Sequence, residues 1–302
     1  MPRRWKMLVA ASVGILILVG VFFAQSDNEP VYNGKKLSKW MVTTGPNRNY
    51  LAVTNNSDVT NAFAHLGTKA IPWLLDCVRA EASPTRIRLG YAVRNWTWLP
   101  DKWRGPSDSI IFQHLFGQNG FRILGTNGVS AIPELARILN RQDHQSSATV
   151  AGLALTYMGP AGLPPLISAL SSTNPIIRIC IISDLGSMRS LGTNTELVIE
   201  PLIRCLSDTN DWYYFASIKT LQALKCPPER FLPILTNHLS VTKPQGDILF
   251  TLDTLQRIGP DAHAAVPAIQ AVIQLNPQQY TSAGTAALEA IAPELFPDEF
   301  AQ

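Results

Sequence analysis

The sequence predicts an all-α fold, a right-handed α-solenoid of helix pairs preceded by one N-terminal transmembrane helix. Three observations lead there. An apolar pattern of helical period returns six times, a proline step opens each copy, and most copies follow one another at intervals in the thirties. Units of that length made of two helices stack, because one pair alone cannot bury its apolar face.

The stretch Leu124 to Leu139, LGTNGVSAIPELARIL, shows the unit most clearly. Leu-Gly closes one helix, a polar turn follows, and Ile-Pro opens the next. Ile132, Leu135 and Leu139, with small Ala136, share one helical face. Proline costs little in a first helical turn, where its missing N–H would have had no partner anyway.

At the N-terminus, Arg3, Arg4 and Lys6 precede twenty uncharged residues from Met7 to Ser26. As a helix that run spans about 30 Å, the thickness of a bilayer core. Basic residues ahead of it place the N-terminus in the cytoplasm and the rest of the chain outside. Residues 1–26 are therefore expected to anchor the chain in a membrane through residues 7–26. Small residues at Ala24-Gln25-Ser26 leave a cleaved signal peptide as the alternative, giving a secreted or periplasmic product. No cysteine directly follows the run, so lipid attachment there is not expected. Without those three basic residues the chain carries 22 basic against 22 acidic side chains, and no basic patch suggests nucleic acid.

Residues 27–56 read as a linker and cap. They contain Tyr32-Asn33-Gly34-Lys35-Lys36-Leu37-Ser38-Lys39-Trp40, and Leu37, Trp40 and Met41 are spaced to cover the apolar end of the first repeat with one helical turn. Packing and recognition of a partner near the membrane are both open for this element.

Residues 57–302 hold the repeats. Second helices are expected to start at Ile71, Ile132, Leu163, Ile199, Leu232 and Val266, spaced by 61, 31, 36, 33 and 34 residues. Their core positions are i, i+3, i+4 and i+7, as in Ile71, Leu74, Leu75 and Val78. First helices should stop at Leu66-Gly67, Leu124-Gly125, Met158-Gly159, Leu185-Gly186, Leu224-Lys225 and Ile258-Gly259, because glycine permits the left-handed turn that ends a helix. The long first interval implies an insertion at about 84–106, with an extra helix and then a surface loop. Trp96, Trp98 and Trp103 crowd this insertion beside Lys102 and Arg104, which suits either a binding patch or a seal against the core.

One unit runs from Asn174-Pro175-Ile176-Ile177-Arg178 to Asp184-Leu185-Gly186. With its Leu-Gly stop and Ile-Pro restart it resembles the HEAT repeat, over about residues 57 to 292. Other units depart from the pattern, with Ala151, Tyr214 and Thr251 in place of the consensus arginine. The whole layout resembles exported, membrane-anchored bacterial HEAT-repeat proteins. That resemblance implies the bacterial inner membrane, a single pass, and a C-terminal domain in the periplasm.

Little in the sequence suggests chemistry. Cys77, Cys180, Cys205 and Cys226 have no metal-ligand spacing, although a Cys205–Cys226 disulfide is open in an oxidising compartment. None of the five histidines precedes a glutamate, unlike the His-Glu pairs of di-iron HEAT hydroxylases. No nucleophile elbow or phosphate loop occurs. Trp212-Tyr213-Tyr214-Phe215 cannot all be buried on one helix and are expected to divide between core and inter-repeat packing. The expected function is a non-catalytic scaffold or adaptor, with no cofactor or metal and an unidentified protein partner. A bilin lyase-like HEAT enzyme and a purely structural envelope protein are the alternatives. The position four residues after each proline-equivalent should face away from the core: Asp76, Arg137, Ser168, Arg204, Asn237 and Ala271. Arg137 and Arg204, with Arg141 one turn further on, would offer forked donors to a partner's carboxylates.

Overall fold

The computed structural model describes residues 28–41, 56–81, 106–141, 144–188, 192–208, 211–240 and 243–296. The expected anchor and the insertion tryptophans Trp96, Trp98 and Trp103 lie outside the described residues, among which no helix is long and apolar enough to cross a membrane. Among the described residues the fold is all-α apart from one small hairpin.

That hairpin, β1 (Val31–Tyr32) and β2 (Lys35–Lys36), is closed by Asn33-Gly34, both at positive φ, the turn that suits the twist of a two-residue hairpin. It leads into α1 (Leu37–Met41), the turn expected as a cap, whose Leu37 and Met41 are wholly buried. Six helix pairs follow: α2 (Ser57–Leu66) with α3 (Ile71–Arg79), α4 (Pro106–Leu124) with α5 (Ile132–Leu139), and α6 (Gln145–Thr156) with α7 (Leu163–Ala169). The others are α8 (Pro175–Ser187) with α9 (Thr195–Leu206), α10 (Asp211–Ala223) with α11 (Leu232–His238), and α12 (Gln245–Ile258) with α13 (Val266–Leu275). A last helix, α14 (Pro277–Ile291), covers α12 and α13. Successive first helices pack on one another from α2 to α10, and second helices do so from α3 to α9.

The turn between the helices of each pair corrects one expected boundary. Backbones turn left-handed at Gly67, Gly125, Gly159, Gly192, Lys225 and Gly259, each leading toward a short 3-10 turn. Gly186 is not among them: α8 continues to Ser187, and the turn comes six residues later, at Gly192. The left-handed positions are spaced by 58, 34, 33, 33 and 34 residues, a more even period than the prolines give.

The buried face of the second helices also differs from the expected one. Positions i+3 are buried in all six, as are i+6: Cys77, Ile138, Ala169, Cys205, His238 and Val272. Position i+4 is buried only at Leu75; Ala136, Ile167, Ile203 and Thr236 are half-buried, and Gln270 is exposed. At 100° per residue, exchanging i+4 for i+6 turns the core stripe by about 40°. The cause is that each second helix has two neighbours. Residues at i+3 and i+7 press on the next first helix, as Leu74 and Val78 do at Gly120 and Gly117, and Ile269 and Ile273 at Gly284. Residues at i+6 meet their own first helix: Cys205 Sγ accepts from Arg178 Nη2 at 3.8 Å, and the His238 ring stacks on Tyr214 at 3.8 Å.

Candidate interaction surface

Turning the core stripe leaves positions i+1 and i+5 exposed in all six second helices. At i+1 stand Pro72, Pro133, Pro164, Glu200, Pro233 and Pro267; at i+5 stand Asp76, Arg137, Ser168, Arg204, Asn237 and Ala271. The row singled out from the sequence is thus on the surface throughout.

Its charges are largely committed to one another. Arg79, at the end of α3, reaches Asp76 at 2.8 Å and crosses to Glu134 of α5 at 2.6 Å. Glu134 also accepts from Arg137 Nε at 2.9 Å and Nη2 at 2.5 Å. Donation from Arg137 first, and from Arg79 second, lowers the Glu134 pKa to about 2. Arg137 is therefore no free fork, although its guanidinium has five N–H groups and its side chain is 59% exposed. A second bridge lies further along, where Arg230, in the turn before α11, holds Glu196 and Glu200 of α9 at 2.7 Å each. The hydrogen bonds from these carboxylates raise the Arg230 pKa. Arg204 is exposed and Arg141 half-buried. Between Arg137 and Arg204 the surface of α7 carries no charge, only Pro164, Pro165 and Ser168.

A second exposed feature lies on the first helices. Trp212 is 69% exposed and Ile176, two residues after an equivalent asparagine in the preceding unit, is 49% exposed. Phe215 and Phe250 extend this apolar ridge edge to face at 4.6 Å. Of the Trp-Tyr-Tyr-Phe run, Tyr213 and Tyr214 are core, Phe215 is half-buried, and Trp212 faces outward. The offset from Ile176 was the signal for that outward position, since both sit in the first turn of a helix whose buried face begins one residue later.

Buried titratable groups are scattered. The Asp184 carboxyl, beside Gly152, is pushed up to about 7 by burial, and its Oδ2 has no hydrogen-bond partner among the described residues. Burial also raises the Cys180 thiol, and it lowers His114, whose Nε2 donates to the Ala80 carbonyl at 2.8 Å. All four cysteines are free thiols, so Cys205 and Cys226 are not joined. Among the described residues no group of three or more His, Cys, Asp or Glu is placed to hold a metal ion.

No protein-family model and no curated protein matches the chain. A crystal structure of an engineered protein from the Northeast Structural Genomics Consortium is similar at 16% identity and a TM-score of 0.37, over 84% of this chain and 77% of that one.

Proposed function

We propose that the protein is a non-catalytic scaffold, a HEAT-like α-solenoid anchored by residues 7–26 in a membrane and presenting its second helices to a protein partner outside the cytoplasm. The observation that supports this reading is the row of six exposed positions, Asp76 to Ala271, repeated in register above a continuous apolar core. Repeat arrays use such extended faces for binding. Because Glu134 occupies Arg137, the open cation of the row is Arg204, and the uncharged α7 strip beside it suits an extended segment with few charges. The exposed ridge at Trp212 favours a second docking face on the first helices.

The test is capture of the native partner from solubilised membranes. Arg137→Glu with Arg204→Glu should leave the melting temperature nearly unchanged and weaken recovery at least about tenfold, in line with loss of a buried charge pair. Unchanged recovery, with loss on Trp212→Ala instead, would move the site to the first helices. Loss only on Trp98→Ala or Trp103→Ala would move it to the insertion.

A further inference from the structure

The N-terminal cap does more than close the array. Its parts are held rigidly: Leu37 N donates to the Pro30 carbonyl at 2.9 Å, Ser38 N to Glu29 Oε1 at 2.5 Å, and Trp40 Nε1 to the Tyr32 carbonyl at 3.1 Å. Tyr32 lies against His65 of α2 with ring centroids 5.3 Å apart, and Leu37 and Met41 are buried below. The outer side is basic. Lys35, Lys36 and Lys39 are all exposed, and Lys35 Nζ sits 4.4 Å over the Trp40 ring, which orients the charge without cancelling it. Residues 28–41 contain one carboxylate, Glu29, against three lysines, although the chain beyond residue 6 is balanced. At the hairpin end Val31 is 54% exposed.

Val31 follows Ser26 by five residues, so an extended chain keeps it within about 18 Å of the end of the expected membrane span. We infer that this cap rests on anionic lipid headgroups of the membrane that holds the anchor, a contact that depends on the anchoring proposed above. Lysines next to a membrane segment are drawn to acidic lipid. Tyrosine and tryptophan backing them suit the headgroup layer, and an exposed aliphatic tip can enter its edge. The attraction is short-ranged in salt, with a screening length of about 10 Å at 0.1 M, so the cap has to touch the surface to gain from it. Its effect would be to fix the start of the helix array against the bilayer.

The full chain reconstituted in phosphatidylcholine vesicles, with or without phosphatidylglycerol, tests this by lysine acetylation with a membrane-impermeant reagent, read site by site by mass spectrometry. In acidic vesicles the rates at Lys35, Lys36 and Lys39 should fall about fivefold or more and recover in high salt, while exposed Lys219 and Lys225 keep their rates. Lys36→Glu with Lys39→Glu should return Lys35 to its rate in neutral vesicles. Equal rates in both vesicles, with the chain still resistant to carbonate extraction, would overturn the lipid contact and leave the anchor standing. Release by carbonate would overturn the anchor itself, and the contact with it.

Discussion

Helix α10 is joined to its two neighbours in different ways. On the α8 side the backbones run close: a Cβ added at Gly186 would lie 3.1 Å from Thr220 Oγ1, which itself donates to the Ile182 carbonyl at 2.8 Å. Arg178 pins this joint, stacked 4.2 Å over Tyr213 and paired with Asp208 at 2.8 Å. On the α12 side the backbones run close over much less of their length. Rings fill the space, with Phe215 against Phe250 and the Tyr214 hydroxyl bonded to Thr251 Oγ1 at 2.8 Å. Tyr214 and Thr251 stand in their helices where the preceding unit has Arg178, so an ionic pin and a phenol-hydroxyl bond occupy the same place in successive units. The repeat fixes where units meet, and side-chain size fixes how far apart they stand.

The largest effect is expected at the aromatic joint. Tyr214 is wholly buried, and Tyr214→Ala should cost about 3–5 kcal/mol of unfolding free energy. Tyr214→Phe, which keeps the ring and loses the bond to Thr251, should cost about 1 kcal/mol. A loss of less than about 1 kcal/mol for the alanine variant in urea titration would mean that α10 and α12 are held by other contacts. A pH response is expected one joint earlier, where Asp184 of α8 lies beside Gly152 of α6. The folded-state pKa of Asp184 lies above the ordinary 3.8, so between 3.8 and about 7 the native state keeps a proton that the unfolded chain has released. Stability therefore falls as pH rises through that window, and the penalty is complete above it. Asp184→Asn should gain on the parent protein by about 1–3 kcal/mol at pH 8 and match it near pH 4. A difference independent of pH would assign the effect to shape and not to charge. The smallest change is at Lys225, the one left-handed turn residue of the six that is not glycine. Lys225→Gly relieves that backbone at some cost in unfolded-state entropy and should add about 0.5 kcal/mol, measured as a thermal midpoint higher by roughly 1 °C.

Much of this architecture was legible in the sequence. Ile71, Ile132 and their counterparts mark the second helices because proline and the apolar period both announce a helix start. The cap was legible from Leu37, Trp40 and Met41 for the same reason of spacing. The turn of the core stripe, about 40°, was not, because it depends on a helix having two partners, and an apolar period by itself marks a single face. That Cys77, Cys205 and His238 share one packing position is hidden in the sequence for the same reason. Gly186 misled because glycine serves two purposes: a left-handed turn, and room for a neighbouring helix, which is its use here. For the surface row, exposure followed from helix arithmetic. The bridge from Arg79 to Glu134 did not, since it joins residues 55 apart in the chain, whereas Glu134 and Arg137 are three apart and neighbours on one helix.

The buried i+6 position gives the array something like a shim in each joint. The residues found there range in volume from Ala169 through Cys77, Cys205, Val272 and His238 to Ile138, a wide spread at one equivalent site. Arg178 stands opposite Cys205 and Tyr214 opposite His238, so each such residue has a definite partner on its own first helix. Exchanging both members of such a couple between units offers a way to alter the local spread of one helix pair while its surface row keeps its register, so that the spacing of a binding face becomes adjustable one unit at a time.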